Sequence, residues 1–148
     1  MDDGELAEIA TETRRAMARL SQRLRAERSP DSLSLNKLVV LSHLYRGGPS
    51  TPGEITLAAW QRPQSLTRVF AELAREGLIT RRPSERDGRE SVLDLTEAGR
   101  AALVADAGQR DAWLTAALAE LTETEARMVR LAAGLLDRLA DADPGEHD

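Results

Sequence analysis

Two short clusters carry side chains able to grip and read a polyanion. The first is Pro63-Gln64-Ser65-Leu66-Thr67-Arg68, with Arg62 just before it. If these residues open a helix, Gln64, Ser65, Thr67 and Arg68 project as donors while Leu66 turns inward. Backbone N–H groups at such a helix start can hold a phosphate. In a major groove Gln pairs adenine and Arg pairs guanine, and the sequence leaves open which base each side chain would read. The second cluster is Arg86-Asp87-Gly88-Arg89, placed to form the tip of a hairpin. An arginine on such a tip suits a narrow A·T-rich minor groove, where the negative potential is strongest. Asp87 is two residues from Arg89 and could pair with it, fixing the direction of the guanidinium. Alone, each cluster also fits a plainer reading: a polar helix face, or a hairpin kept in solution by its charges. In tandem they predict a helix-turn-helix followed by a basic wing, a device for holding duplex DNA.

The elements that must position these clusters are legible on either side. Thr51-Pro52-Gly53-Glu54 has the form of a capping box with proline at the first helical position, and predicts a short helix ending near Ala59. Trp60-Gln61-Arg62 then form the turn. The next helix starts at Pro63, carries Leu66, Val69, Phe70 and Leu73 on one face, and stops at Gly77. Leu78–Arg82 and Ser91–Leu95 read as strands, with Asp87-Gly88 as the turn signal between them.

Longer helices flank this segment. From Glu5 to about Glu27, Leu6, Ile9, Thr13, Met17, Leu20 and Leu24 recur at helical spacing. Ser29-Pro30-Asp31 breaks that helix. Ser34 is placed to cap a second one, running through Leu35, Leu38, Val39, Leu41, Ser42 and Tyr45 to Gly47-Gly48-Pro49. After the strands a helix from about Glu97 to Ala119 is expected. Thr122-Glu123-Thr124-Glu125 then caps a last helix carrying Met128, Leu131, Leu135 and Leu139. The reading is one domain over 1–148, mainly α with a small β-hairpin wing: a winged helix-turn-helix at 51–96, scaffold and dimerisation helices at 5–46 and 97–141, and a disordered polar tail at 142–148. The apolar stripes on the two terminal helices exceed what one protomer can obviously cover, and two such helices can cover each other across a two-fold axis.

Composition narrows the function. The formal net charge is −5, yet residues 62–89 hold seven arginines against four acids, so a basic island sits in an acidic chain. A solvated charged face is the plain alternative. With no cysteine and two histidines, His43 and His147, far apart in sequence, neither a thiol switch nor a metal site is expected. No Ser/His/Asp set or phosphate-binding glycine loop suggests an enzyme, and no cofactor is implied. No apolar run reaches the roughly 20 residues of a membrane span, and the acidic N-terminus lacks a signal core, so the expected location is the cytoplasm.

The ordered set Thr51-Pro52-Gly53-Glu54-Ile55, Ser65-Leu66-Thr67-Arg68 with Leu73, Glu76-Gly77-Leu78-Ile79, Arg81-Arg82, Asp87-Gly88-Arg89 and Leu95-Thr96-Glu97-Ala98-Gly99 resembles the MarR (multiple antibiotic resistance regulator) family of winged-helix transcription factors. The resemblance extends over essentially the whole chain. It implies a homodimer whose first and last helices interlock, gripping a palindromic operator and acting as a repressor. It also implies that Arg89 reaches the minor groove, that Asp87 orients it, and that positions 64, 65, 67 and 68 face the major groove. A small aromatic or phenolic effector bound among the first, second and fifth helices would relieve binding. His43, Tyr45 and Trp113 are the polar or aromatic groups available there, each read first as structural or surface. One departure is Trp60-Gln61-Arg62-Pro63, where family members often carry a small-residue turn. Trp60 is expected to be a core residue packing the two helices together, with a contact residue as the alternative reading. The competing class is a winged helix that docks proteins, its basic wing meeting an acidic surface.

Overall fold

A computed structural model describes residues 1–143 and Gly145. Of the expected tail at 142–148, Pro144, Glu146, His147 and Asp148 lie outside the described residues. The elements are α1 (Asp3–Ala26), α2 (Leu35–Gly47), α3 (Pro52–Ala58), α4 (Pro63–Arg75), β1 (Ile79–Pro83), β2 (Ser91–Leu95), α5 (Glu97–Ala119) and α6 (Glu123–Ala140). Two compact units divide the chain, Met1–Gln109 and Arg110–Asp148.

The first unit holds the core. Val40, Leu41 and Leu44 of α2 meet Ile55 of α3, Leu66, Val69, Phe70 and Leu73 of α4, Ile79 of β1 and Leu93 of β2. The expected apolar face of α4 is therefore the buried one. On α2 the buried face differs from the expected run: Leu35 and Tyr45 are exposed, while Val40 and Leu44 are buried. Residues 40, 41 and 44 fall at helical spacing and form the core side of α2.

Caps fix where the helices begin. Ser34 Oγ accepts from Lys37 N, and Thr51 and Glu54 form the expected reciprocal box at the start of α3. Asp2 forms a further box with Glu5, so α1 starts earlier than its apolar stripe suggests. A Schellman turn ends α4. Leu78 N donates to Leu73 O, Gly77 N donates to Ala74 O, and Gly77 takes the left-handed conformation at φ 74°. Because this turn uses the Leu78 N–H, β1 begins one residue later than expected.

β1 and β2 pair antiparallel, Ile79 opposite Leu95 and Pro83 opposite Ser91. A further rung comes from outside the hairpin. Ser50 and Leu93 exchange both backbone hydrogen bonds, at 3.0 and 2.8 Å, fastening the α2–α3 loop to the wing strand. The base of the wing is also locked to α5. Thr96 Oγ1 donates to Gly77 O (2.7 Å) and accepts from Gly99 N (3.0 Å). A Cβ on Gly99 would lie 2.1 Å from Leu78 O, so only glycine fits there. Earlier in the unit, buried Asp106 of α5 accepts from Leu33 N (2.7 Å) and pairs with Arg28, which also donates to Leu33 O. That knot ties the α1–α2 linker to α5.

In the second unit Thr122 caps α6 through a box with Glu125. The Thr122 hydroxyl and backbone N–H, both donating to the Glu125 carboxylate, lower its pKa. No residue of α6 is buried, and Met128, Leu131, Leu135 and Leu139 are all exposed. α1 likewise has no buried residue, with Leu6, Ile9, Met17 and Leu20 exposed along one stripe. No helix among the described residues is long and apolar enough to cross a membrane.

Candidate nucleic-acid interface

The start of α4 is built as an open donor surface. Arg62 is its N-cap residue, with extended backbone and no side-chain cap bond. Proline at the first helical position has no N–H to satisfy, which suits an uncapped start. Gln64, Ser65, Thr67 and Arg68 are all exposed, and Leu66 is completely buried. The burial of Leu66, Val69, Phe70 and Leu73 thus fixes the rotation of α4 and turns the four polar positions outward together. Each fully buried leucine contributes on the order of 2 kcal/mol to holding that rotation.

Arg68 is oriented from below. Its Nε donates to Glu72 Oε1 at 2.9 Å, although its side chain is 89% exposed. The bond constrains the guanidinium while its terminal nitrogens remain outward. Glu72 is shared with Lys37 of α2 (3.8 Å), which also bonds Glu76 (2.6 Å). A buttress of one lysine and two glutamates therefore links α2 to the outer edge of α4. Sequence reading missed Lys37, the chain's single lysine, because its partners Glu72 and Glu76 lie some forty residues away.

The wing places Arg86, Asp87, Gly88 and Arg89 at an exposed tip. Ser84 N donates to Glu90 O (2.7 Å), and Glu90 N donates to Asp87 O (3.0 Å), closing the loop. Asp87 works differently from the expectation. Its Oδ1 accepts from the backbone N–H of Arg89 at 3.0 Å, and no pairing with the guanidinium occurs. A carboxylate two residues ahead of an N–H closes an Asx turn with little side-chain ordering, whereas reaching the guanidinium would order two long side chains in water. Asp87 shapes the loop from which Arg89 projects. Among the described residues Arg62, Arg81, Arg82, Arg86 and Arg89 have no ion-pair partner. They are cations held outward with no internal acid to neutralise them.

The turn between α3 and α4 departs most from expectation. Trp60 is not in the core; it is 81% exposed. The reason is conformational. Trp60 N donates to Leu57 O and Gln61 N to Thr56 O, both at 3.1 Å, and Trp60 sits at φ 53°. This is a Schellman turn with tryptophan at the left-handed position. The backbone hydrogen bonds, not hydrophobicity, set where the indole goes, and Ala59 packs against the core in its place.

Of the aromatic groups considered for an effector, Tyr45 is exposed with the Arg100 guanidinium carbon 5.2 Å from its ring centre. Trp113 lies in the second unit. His43 Nε2 is 3.1 Å from Ser50 Oγ, which itself donates to Gly48 O. The serine proton is therefore used, and the imidazole Nε2–H must be the donor. His43 supports the loop that carries the Ser50–Leu93 rung. Burial lowers its pKa most, the nearby Arg46 lowers it further, and Glu54 opposes both.

Residues 31–90 match the sequence pattern of the MarR family. An HTH-type transcriptional regulator of Mycobacterium tuberculosis is 36% identical over 138 residues, spanning 93% of this chain and 96% of the relative. A solved putative transcriptional regulator from Pseudomonas aeruginosa is 32% identical, with a TM-score of 0.77 over 96% of this chain and 99% of that one. The Bordetella bronchiseptica regulator BpsR, whose DNA binding is regulated by 6-hydroxynicotinic acid, shares the fold at 21% identity and a TM-score of 0.63, covering 91% of this chain and 94% of its own. With an open recognition helix, a basic wing and relatives of this similarity, the chain belongs to the MarR family of winged helix-turn-helix, DNA-binding transcriptional regulators, which are not enzymes.

Proposed function

We propose that the protein is a homodimeric cytoplasmic repressor that binds a palindromic operator. The observation that carries the proposal is the pairing of an uncapped, donor-rich start of α4 with a wing whose arginines have no acidic partner among the described residues. Gln64, Ser65, Thr67 and Arg68 face the major groove, Arg62 contacts phosphate, and Arg86 and Arg89 enter the adjacent minor groove, with Asp87 and Gly88 shaping the tip. The exposed apolar stripes of α1 and α6 support dimerisation, because solvent-facing rows of Leu, Ile and Met on both terminal helices are the material of an isologous interface. Relief by a small aromatic or phenolic effector is suggested by BpsR, whose DNA binding is regulated by 6-hydroxynicotinic acid. A groove of about 400 Å³, bordered by Ser29, Asp31, Leu33, Ala105, Asp106 and Gln109, offers such a molecule both polar and apolar contacts.

Selection of bound duplexes from a random pool tests the proposal. The expected product is a palindrome whose half-sites lie about one helical turn apart. Affinity for it should fall steeply as salt rises. Failure to enrich any sequence, or affinity indifferent to salt, overturns the operator reading. Sedimentation at micromolar concentration should give twice the chain mass; a monomer overturns the homodimer.

A further inference from the structure

Trp60 makes no use of the properties that usually retain a tryptophan. Its ring is 81% exposed, and its backbone occupies a left-handed conformation that glycine would adopt without strain. Leu57, three residues earlier on α3, is 79% exposed. Strained, exposed, rigidly hydrogen-bonded residues are found where a side chain must be presented outward. The position is specific: Trp60 stands two residues before Arg62, the N-cap of α4, and Gln61, Arg62 and Gln64 around it are all exposed.

We infer that Trp60 is a DNA-contact residue that packs its indole on the deoxyribose–phosphate backbone bordering the groove entered by α4. This rests on the operator-binding reading above and adds to it a residue that is neither cationic nor directed at a base. The chemistry matches. A sugar presents an apolar face beside a phosphate acceptor, and an indole presents an apolar face beside one N–H donor. Arg62, two residues on, has no ion-pair partner among the described residues, which favours a polyanion as the surface met here. The Schellman bonds at 3.1 Å fix the backbone from which the ring projects, so only the two side-chain rotations remain to be ordered on contact.

The chain has two tryptophans, so each can be observed alone. In W113F, saturation with the duplex selected by the wild-type protein should shift Trp60 emission to shorter wavelength and protect it from acrylamide. In W60G, which retains only Trp113, that change should vanish, and the same duplex should bind about tenfold more weakly with an unchanged salt slope, because no cation is lost. Arg62→Ala should instead reduce the slope. W60G also replaces a strained residue with the one its backbone favours, so its thermal midpoint should not fall, separating lost contact from lost fold. If the wild type binds DNA while Trp60 stays open to acrylamide, or W60G binds as the wild type does, this inference is overturned and the operator reading stands. If the wild type binds no duplex, both are overturned.

Discussion

The turns that end α3 and α4 share one backbone pattern and differ in the residue at its centre. In each, the N–H of the third residue past the helix reaches back to the last turn, and the residue before it is left-handed. After α4 that residue is Gly77; after α3 it is Trp60. The Gly77 turn is surrounded by structure: Thr96 Oγ1 bonds its carbonyl, Leu78 follows into the wing, and Gly99 of α5 packs on the Leu78 carbonyl. The Trp60 turn faces solvent and is followed by exposed Gln61 and Arg62. Identical geometry therefore serves two ends. One turn uses glycine to let three elements close on one another. The other accepts strain to hold an aromatic ring outward. The left-handed position alone does not say which residue belongs there; the neighbours do.

The largest effect should come from the crowded turn. A Cβ at Gly99 would overlap the Leu78 carbonyl oxygen, and backbone cannot move aside as a flexible side chain can. Gly99→Ala is expected to destabilise the fold by about 3 kcal/mol, the upper end of ordinary overpacking costs. The midpoint of urea denaturation reads this directly. An unchanged midpoint would mean that α5 and the wing are not locked as described, and the contrast between the turns would lose its structural half.

Next is the wing tip that the crowded turn supports. Arg89→Ala should leave stability unchanged, since its side chain touches no protein partner among the described residues, and should weaken operator binding by about 1.5–3 kcal/mol, the size of a charge-assisted hydrogen bond. Asp87→Asn tests the loop separately. The amide oxygen can still accept from Arg89 N, so binding should be largely retained. A loss as large as that of Arg89→Ala would show that the carboxylate charge, and not the Asx turn, orients the arginine.

Smaller again is the exchange of the two central residues. Gly77→Ala should cost about 1 kcal/mol, because an L side chain is forced into the left-handed region. Trp60→Gly should gain a few tenths up to about 1 kcal/mol, relief of strain being partly offset by the greater freedom of glycine in the unfolded chain. Paired thermal melts check both signs. If Trp60→Gly destabilises by as much as Gly77→Ala, the indole is a structural residue and the contrast collapses.

The contrast also marks how far the sequence could be read. Capping boxes at Thr51–Glu54 and Thr122–Glu125 were legible because each needs only side chains and N–H groups within one turn of chain. The outward set Gln64, Ser65, Thr67 and Arg68 was legible because Leu66, Val69, Phe70 and Leu73 leave a single rotation of α4 able to bury all four. Trp60 was misread because hydrophobicity argues for burial, while the hydrogen bonds of its turn, invisible in composition, decide its direction. Asp87 was misread because two acceptable partners, the N–H and the guanidinium of the same residue, lie at one spacing. Ser50 was not seen as part of the wing because a one-residue rung has no period. α1 and α6 were seen as apolar stripes, and a stripe's periodicity does not say what covers it.

The smallest expected effect lies at the opposite end of α3 from Trp60, where His43 holds Ser50. Burial and Arg46 keep the folded-state pKa of His43 below the ordinary 6.5, Glu54 notwithstanding. Near that pH the unfolded chain binds a proton that the folded chain does not, so stability must rise with pH there. The sign is thus a loss of stability as pH falls through about 6.5, levelling off once the folded imidazole is also protonated. Comparing thermal midpoints from pH 8 to pH 5 should show this slope in the wild type and a shallower one in His43→Gln, whose side-chain amide can still donate to Ser50 Oγ but cannot titrate. Because the Nε2–H donates to Ser50 in both protonation states, the Ser50–Leu93 rung should persist across the range, with its amide hydrogens remaining protected from exchange. Equal slopes in the two proteins would mean that His43 titrates alike in folded and unfolded chains.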